Sequence, residues 1–149
     1  MTETARANLA TDLGRASRMI RAKFDERLSP LGLTQAKWLI LMLLSKNGGV
    51  MPQREISERI GVEGPTVVRV LDGLENMGLI ERRDQPADRR TKDVYLTREA
   101  GDIVKKISRT AEEFREEIWA GIPEKDVVVC ARVIATLLLN LGALGRETA

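Results

Sequence analysis

Gln53-Arg-Glu-Ile-Ser-Glu-Arg-Ile60, then Gly61-Val-Glu-Gly, then Pro65-Thr-Val-Val-Arg-Val-Leu-Asp-Gly-Leu-Glu-Asn-Met77-Gly78, is the stretch on which the fold turns. Behind Pro52, Ile56 and Ile60 stand four apart and give a short helix one apolar side. Gly61 ends it, because a residue without Cβ takes the left-handed conformation that closes helices. Val62, Glu63 and Gly64 lead to Pro65, whose missing N–H suits a first helical position. A second helix then runs to about Met77 and stops at Gly78. At about 100° per residue, Val67, Leu71, Leu74 and Met77 or Gly78 share one side, while Pro65, Arg69, Asp72, Gly73 and Asn76 fall opposite with Thr66 at the edge. Two short helices joined around a glycine form a helix-turn-helix, whose second helix fits the DNA major groove. Its outer side is polar without being uniformly charged. Arg69 is the residue best able to fork onto guanine N7 and O6, worth about 1–3 kcal/mol of discrimination. Alone, the same face also suits an ordinary solvated helix.

The following residues narrow that choice. Leu79-Ile-Glu-Arg-Arg83 and Val94-Tyr-Leu-Thr97 have β character and flank the loop Asp84-Gln-Pro-Ala-Asp-Arg-Arg-Thr-Lys-Asp93, which holds the turn former Pro86. Arg82, Arg83, Arg89, Arg90 and Lys92 are concentrated on this hairpin. Cations at a loop tip beside a reading helix suit phosphates or a narrow minor groove. Asp88, next to Arg89 and Arg90, is placed to hold a guanidinium by a bidentate pair.

The helix pair, the run Pro65–Arg83, and Asp88-Arg-Arg followed by Val94-Tyr-Leu-Thr97 together resemble the winged-helix region of the MarR family. Leu31-Gly-Leu-Thr-Gln-Ala-Lys-Trp38 and the wing are similar to the SlyA branch in particular. The similarity spans nearly the whole chain, and the order of the motifs is more specific than any single one. It implies a homodimeric transcription factor that binds a double-stranded operator of inverted-repeat symmetry. It also implies that a wing arginine enters the minor groove, and Arg89 and Arg90 are both available. The fold expected is mainly α with a small β-wing: a winged helix-turn-helix region over 34–97, with helical dimerisation segments at 1–33 and 98–149, all one structural domain.

Bulk properties fit a helical soluble protein. The 149 residues suffice for one domain with a real core. Net charge is only +2, so the local arrangement of bases carries the nucleic-acid reading, and nonspecific affinity should be modest and salt-sensitive. No histidine occurs, which removes imidazole as a base or metal ligand. The single cysteine, Cys130, cannot form an intrachain disulfide, and a reducing cytoplasm follows as the expected compartment. The longest apolar runs fall short of a membrane span, so no membrane partner is expected.

Other segments supply the remaining helices. Residues 1–7 are polar and expected to fray, after which Leu9, Leu13, Ala16, Ile20, Phe24 and Leu28 recur at helical steps. Ser29-Pro30 ends that helix. Thr34 is a candidate N-cap for a helix from Gln35 to about Lys46, apolar nearly all round and therefore buried. Val50-Met51 is a candidate third strand against the wing. Thr97 is the next candidate N-cap, ahead of a stripe from Ala100 through Ile107 and Phe114 to Ile118. Pro123 opens a last helix whose stripe includes Val127, Cys130, Ile134, Leu137, Leu138 and Leu141. That is more apolar surface than one small domain covers, so the first, fifth and sixth helices are expected to pack against a second copy.

By the same resemblance, a small aromatic carboxylate effector would bind between the dimer region and the winged helix. Arg18, Arg21, Thr34, Lys37, Trp38 and Met42 would supply an anchor and an apolar wall. Plain core for Trp38 and Met42, and solvation for the bases, is an equal reading. Cys130 lies in an apolar run with no nearby base, where a thiol is inert. On the DNA side the expected set is Pro65, Thr66, Arg69, Asp72 and Gly73 for the major groove, and Arg89 and Arg90, flanked by Asp88, for the minor groove. Gln53, Arg83 and Lys92 are assigned to phosphates. A winged-helix protein-interaction module without DNA is the competing class. An enzyme is disfavoured, since histidine, a phosphate loop and a nucleophile with a matching base are missing from the sequence. No cofactor or metal is expected.

Overall fold

The computed structural model describes residues 2–144. The elements are α1 (Thr2–Leu28), a single 3-10 turn (Ser29–Leu31), α2 (Gln35–Lys46), β1 (Val50–Pro52), α3 (Gln53–Ile60), α4 (Gly64–Asn76), β2 (Ile80–Asp84), β3 (Lys92–Leu96), α5 (Ala100–Trp119) and α6 (Glu124–Leu144). This is a mainly helical chain with a small antiparallel sheet. The chain forms two compact units, the first ending at Phe114 and the second beginning at Arg115, so α5 runs from one into the other.

In the first unit, glycines set the path between helices. Gly61, at φ +69°, closes α3 and donates its N–H to the Ser57 carbonyl. Gly78, at φ +73°, turns the chain out of α4 into β2. Pro65 sits in the first turn of α4, which begins one residue earlier than the sequence suggests. The sheet has the order β1-β3-β2, with both pairs antiparallel. Val94 lies opposite both Met51 and Arg82 in the register. Met51 and Val94 point inward and are buried, so the expected third strand forms and seals the wing onto the core.

The core of this unit gathers Ile40, Leu41 and Leu44 of α2, Ile56 of α3, and Val67, Leu71 and Leu74 of α4, with Leu79, Ile80 and Val94 from the wing. The end of α1 joins it through aromatic contacts. Phe24 meets Trp38 edge-on with ring centroids 4.9 Å apart and lies 5.6 Å from Phe114 of α5. Trp38 Nε1 donates to Asp25 Oδ1 at 2.8 Å, and the Arg27 guanidinium sits 4.9 Å over the Phe114 ring. Such pairs add to burial about 0.5–1.5 kcal/mol each.

Two local expectations are corrected and one holds. The first helix begins at Thr2 rather than fraying to residue 7, since Ala5, Ala7 and Ala10 are strong helix formers and Glu3 complements its N-terminal dipole. (Met1 lies outside the described residues.) Thr34 precedes α2 in extended conformation but makes no side-chain cap bond; its carbonyl accepts from Trp38 N–H instead. Thr97 does cap, accepting from Ala100 N–H, and its hydroxyl also donates to the Gly78 carbonyl at 2.7 Å. That second bond ties the start of α5 to the end of α4.

In the second unit, Gly121 at φ +77° turns the chain and the Pro123 carbonyl accepts from Asp126 and Val127 to start α6. No described residue of α6 is buried within the chain, and Leu138, Leu139, Leu141 and Leu144 are widely exposed. This helix is also long and apolar enough to cross a membrane, against the expectation that no segment would be. Its uninterrupted apolar runs are short, but only Arg132 breaks the stretch from Val127 to Leu139 with a charge.

Candidate nucleic-acid interface

Helix α4 turns Val67, Leu71 and Leu74 into the core and leaves Pro65, Thr66, Arg69, Asp72 and Asn76 exposed. The Arg69 guanidinium has no protein acceptor among the described residues. Two members of the expected reading face behave otherwise. Gly73 is half-buried, and a Cβ there would come within 3.0 Å of Lys37 Cε, so this position serves the packing of α2 on α4. The helical phase explains it, because Gly73 falls on the flank rotated toward α2. Asp72 is drawn sideways, with its Oδ1 accepting from Arg82 at 2.5 Å.

Arg82 is the most engaged cation in the wing. Its guanidinium also donates to Glu75 Oε2 at 2.6 Å, and its backbone N–H donates to Glu75 Oε1. The side chain is only 17% exposed. Hydrogen bonding from Arg82 holds the Glu75 carboxyl below the usual carboxylate range, and the same bond raises the Arg82 guanidinium above its ordinary value. Strand β2 is thereby clamped to α4. Two carboxylates three apart on a helix, followed past the glycine turn by an arginine, are the sequence signal for this clamp (Glu75 was missing from the expected set).

The other wing cations divide into two groups. Arg83 pairs with Glu81 at 3.1 Å and lies 4.5 Å over the Tyr95 ring, and Lys92 pairs with Asp84 at 3.1 Å. Hydrogen bonding from Arg83 lowers the Glu81 pKa and raises that of Arg83. At the tip the pattern changes. Asp88 was expected to grip a guanidinium, but its Oδ1 accepts from the Arg90 backbone N–H and its Oδ2 from the Thr91 hydroxyl. A short acidic side chain bonds its own backbone two residues on more readily than it reaches a flexible guanidinium. Arg89 and Arg90 are therefore exposed with no acid partner among the described residues, on a tip whose backbone Asp88 shapes. Gln53, the first residue of α3, is half-buried with its Oε1 enclosed and unpartnered.

The residues expected around an effector are not all brought together. Trp38 is engaged with Phe24 and Asp25, and Met42 is half-buried in α2. Lys37 extends instead along α4, with Nζ 3.8 Å from Met77 Sδ. Arg21 bonds Ser17 on the exposed side of α1, Arg18 is exposed nearby, and Thr34 is exposed before α2. A shallow groove of about 330 Å³ runs along α6 beside Arg132, Val133, Thr136, Leu137 and Asn140, away from this set in sequence. Cys130, in the apolar run of α6, is exposed within the single chain.

Helix pair, hairpin and third strand define a winged helix-turn-helix. Comparison with known proteins is consistent throughout. Residues 31–91 match the MarR family. The solved structure of transcriptional regulator PA3341 is 41% identical, with a TM-score of 0.79 over 91% of this chain and 98% of that one. MarR itself superposes with a TM-score of 0.75 at 24% identity, covering 91% of this chain and 98% of its own. An organohalide-sensing transcriptional regulator in its 2,4-dichlorophenol-bound form gives 0.77 at 20% identity, over 89% of this chain and 79% of its own. These last two share the fold. The chain belongs to the MarR family, whose matched members are transcriptional regulators rather than enzymes.

Proposed function

We propose that the protein is a homodimeric, sequence-specific DNA-binding regulator of the cytoplasm that reads an inverted-repeat operator. One observation carries this reading most directly. Along the winged helix, the cations at the base of the wing have acid partners, whereas Arg69 on α4 and Arg89 and Arg90 at the tip have none among the described residues. Unneutralised guanidiniums at these places suit base edges in the major groove and the negative potential of the minor groove. Pro65 and Thr66 flank Arg69 at the N-terminal end of α4, the end that helix-turn-helix proteins present to bases. Gln53, Arg83 and Lys92 would meet phosphates, the last two exchanging carboxylate partners for the backbone.

The exposed leucines of α6, together with exposed Leu9, Met19 and Ile20 of α1, support the dimer. A second copy would cover them, and two-fold symmetry would set the two α4 helices about 34 Å apart. Arg132 in the middle of α6 favours this over a lipid environment, where a lone charge costs about 2.5–3.5 kcal/mol or more. In this arrangement 1–33 and 98–149 would serve dimerisation and 34–97 DNA. A small aromatic carboxylate near Trp38, Met42, Thr34 and the bases Arg18, Arg21 and Lys37 would act by favouring a dimer with its heads wrongly spaced. The chlorophenol bound by a fold relative supports an aromatic ligand. The SlyA branch remains our subfamily assignment on the Leu31–Trp38 and wing motifs.

Selection of bound duplexes from a random pool tests the proposal, followed by titration of single substitutions. Arg69→Ala should relax preference at one base pair per half-site by about 1–3 kcal/mol. Lys92→Ala should weaken all duplexes similarly and lower the salt slope by about one unit. A protein-interaction module would enrich no sequence, and equal losses for both variants on every duplex would overturn the assignment of roles.

A further inference from the structure

Val68 is the large apolar side chain that α4 leaves in solvent on its outer half. It is 38% exposed, while its neighbour Val67 is completely buried and Val70 is half-buried. In the sequence a valine directly after the core position Val67 looks like more core. The helical phase puts Val68 one turn before Asp72 and two before Glu75 on the same flank. That flank is the one clamped to β2, since both carboxylates are engaged by Arg82. Val68 therefore stands on the wing side of α4, next in sequence to Arg69, with both nearby acids turned onto Arg82. Sharing one guanidinium reduces the repulsion that these two carboxylates would exert on an approaching duplex.

Resting on the DNA-binding reading above, we propose that Val68 reads the C5-methyl group of a thymine in the major groove. A valine in a helix is held in one χ1 rotamer, so its two methyls point in a defined direction. It offers no hydrogen bond and so cannot read the donor–acceptor pattern of a base edge. The thymine methyl is the apolar feature that the major groove presents. Val68 and Arg69 are separated by about 1.5 Å of helix rise and about 100° of rotation, so they address neighbouring parts of one half-site. The selected half-site accordingly contains a guanine read by Arg69 and a thymine read by Val68. Asp72, bound to Arg82, is withdrawn from that pairing.

Deoxyuridine removes this methyl and nothing else. Using the full-length protein and an operator selected from an unmethylated synthetic pool, each thymine of the half-site is replaced symmetrically by deoxyuridine and Kd measured. Wild type loses about fourfold per methyl, about fifteen-fold for the symmetric pair, at one thymine position. Val68→Ala binds the thymine and deoxyuridine operators within twofold of each other at that position and keeps the wild-type response elsewhere. Val68→Thr, which retains one methyl and the side-chain shape, gives an intermediate loss and serves if the alanine variant misfolds. Tight operator binding with no thymine sensitive to the exchange overturns the proposal, as does a sensitivity that survives in Val68→Ala. Failure to enrich any duplex overturns the DNA-binding reading itself, a distinguishable result.

Discussion

Arg82 shows how much one side chain decides at the residue scale. Three of its hydrogen bonds reach Glu75 and one reaches Asp72, so the wing base is tied to α4. Arg82→Met keeps the aliphatic stem but leaves two carboxylates side by side. We expect a loss of about 1–2 kcal/mol in denaturant unfolding, after allowing for solvent screening of the partly exposed acids. A pH titration isolates the Glu75 contribution. Because its folded pKa is lowered, chiefly by hydrogen bonding from Arg82, the contribution is complete above the ordinary carboxylate pKa of about 4.3 and disappears as pH falls through the lower folded value. The stability difference between wild type and Glu75→Gln should thus be flat from neutral pH to about pH 5 and shrink below it. A constant difference down to strong acid would contradict the clamp. Part of this was legible in the sequence, since Asp72 and Glu75 share a helix flank. Their partner was not, because β2 reaches α4 only after Gly78 reverses the chain.

Single elements stand or fall by their packing and their turns. Leu41 in α2 is fully buried among the helices of the first unit. Its replacement by alanine should cost about 2–5 kcal/mol in equilibrium unfolding, enough to threaten a small domain. Gly61 links α3 to α4 in the left-handed region at φ +69°. Gly61→Ala adds a Cβ that meets nothing in space yet strains the backbone, at about 1–2 kcal/mol by thermal denaturation. The helices themselves were readable, since 3.6-residue periodicity, prolines and glycines are local signals. Cap chemistry was less so. Thr34 and Thr97 look alike in sequence, but only Thr97 has Gly78 and the Ala100 N–H within reach.

At the scale of the whole molecule, α6 poses the largest energetic question. None of its described leucines is buried, and Leu139 is 75% exposed. If a second copy covers them, wild type should sediment as a dimer at micromolar concentration. Leu138→Glu should shift it to monomer and abolish binding to a full operator while the melting of the first unit is little changed. Monomeric wild type, or flotation with lipid vesicles, would count against the dimer and would make the membrane-like composition of α6 the better guide. Periodicity identified α6 as a helix with too much apolar surface, yet a composition of this kind serves a bilayer, a core and a subunit seam equally well.

What the sequence determined by itself was the succession of helices and strands, the turn glycines and the family, because these depend on spacing and on side-chain shape along the chain. Tertiary structure alone decided which charges are satisfied. Arg82, Arg83, Arg89, Arg90 and Lys92 form one basic cluster in sequence until folding sets Glu75 of α4 beside Arg82, Glu81 of the same strand beside Arg83 and Asp84 across the hairpin beside Lys92, each within about 3 Å, and leaves the tip without an acid partner among the described residues. Coulomb attraction and hydrogen bonding fall off over a few ångströms, so which cations remain free depends on distances that exist only once the chain has folded.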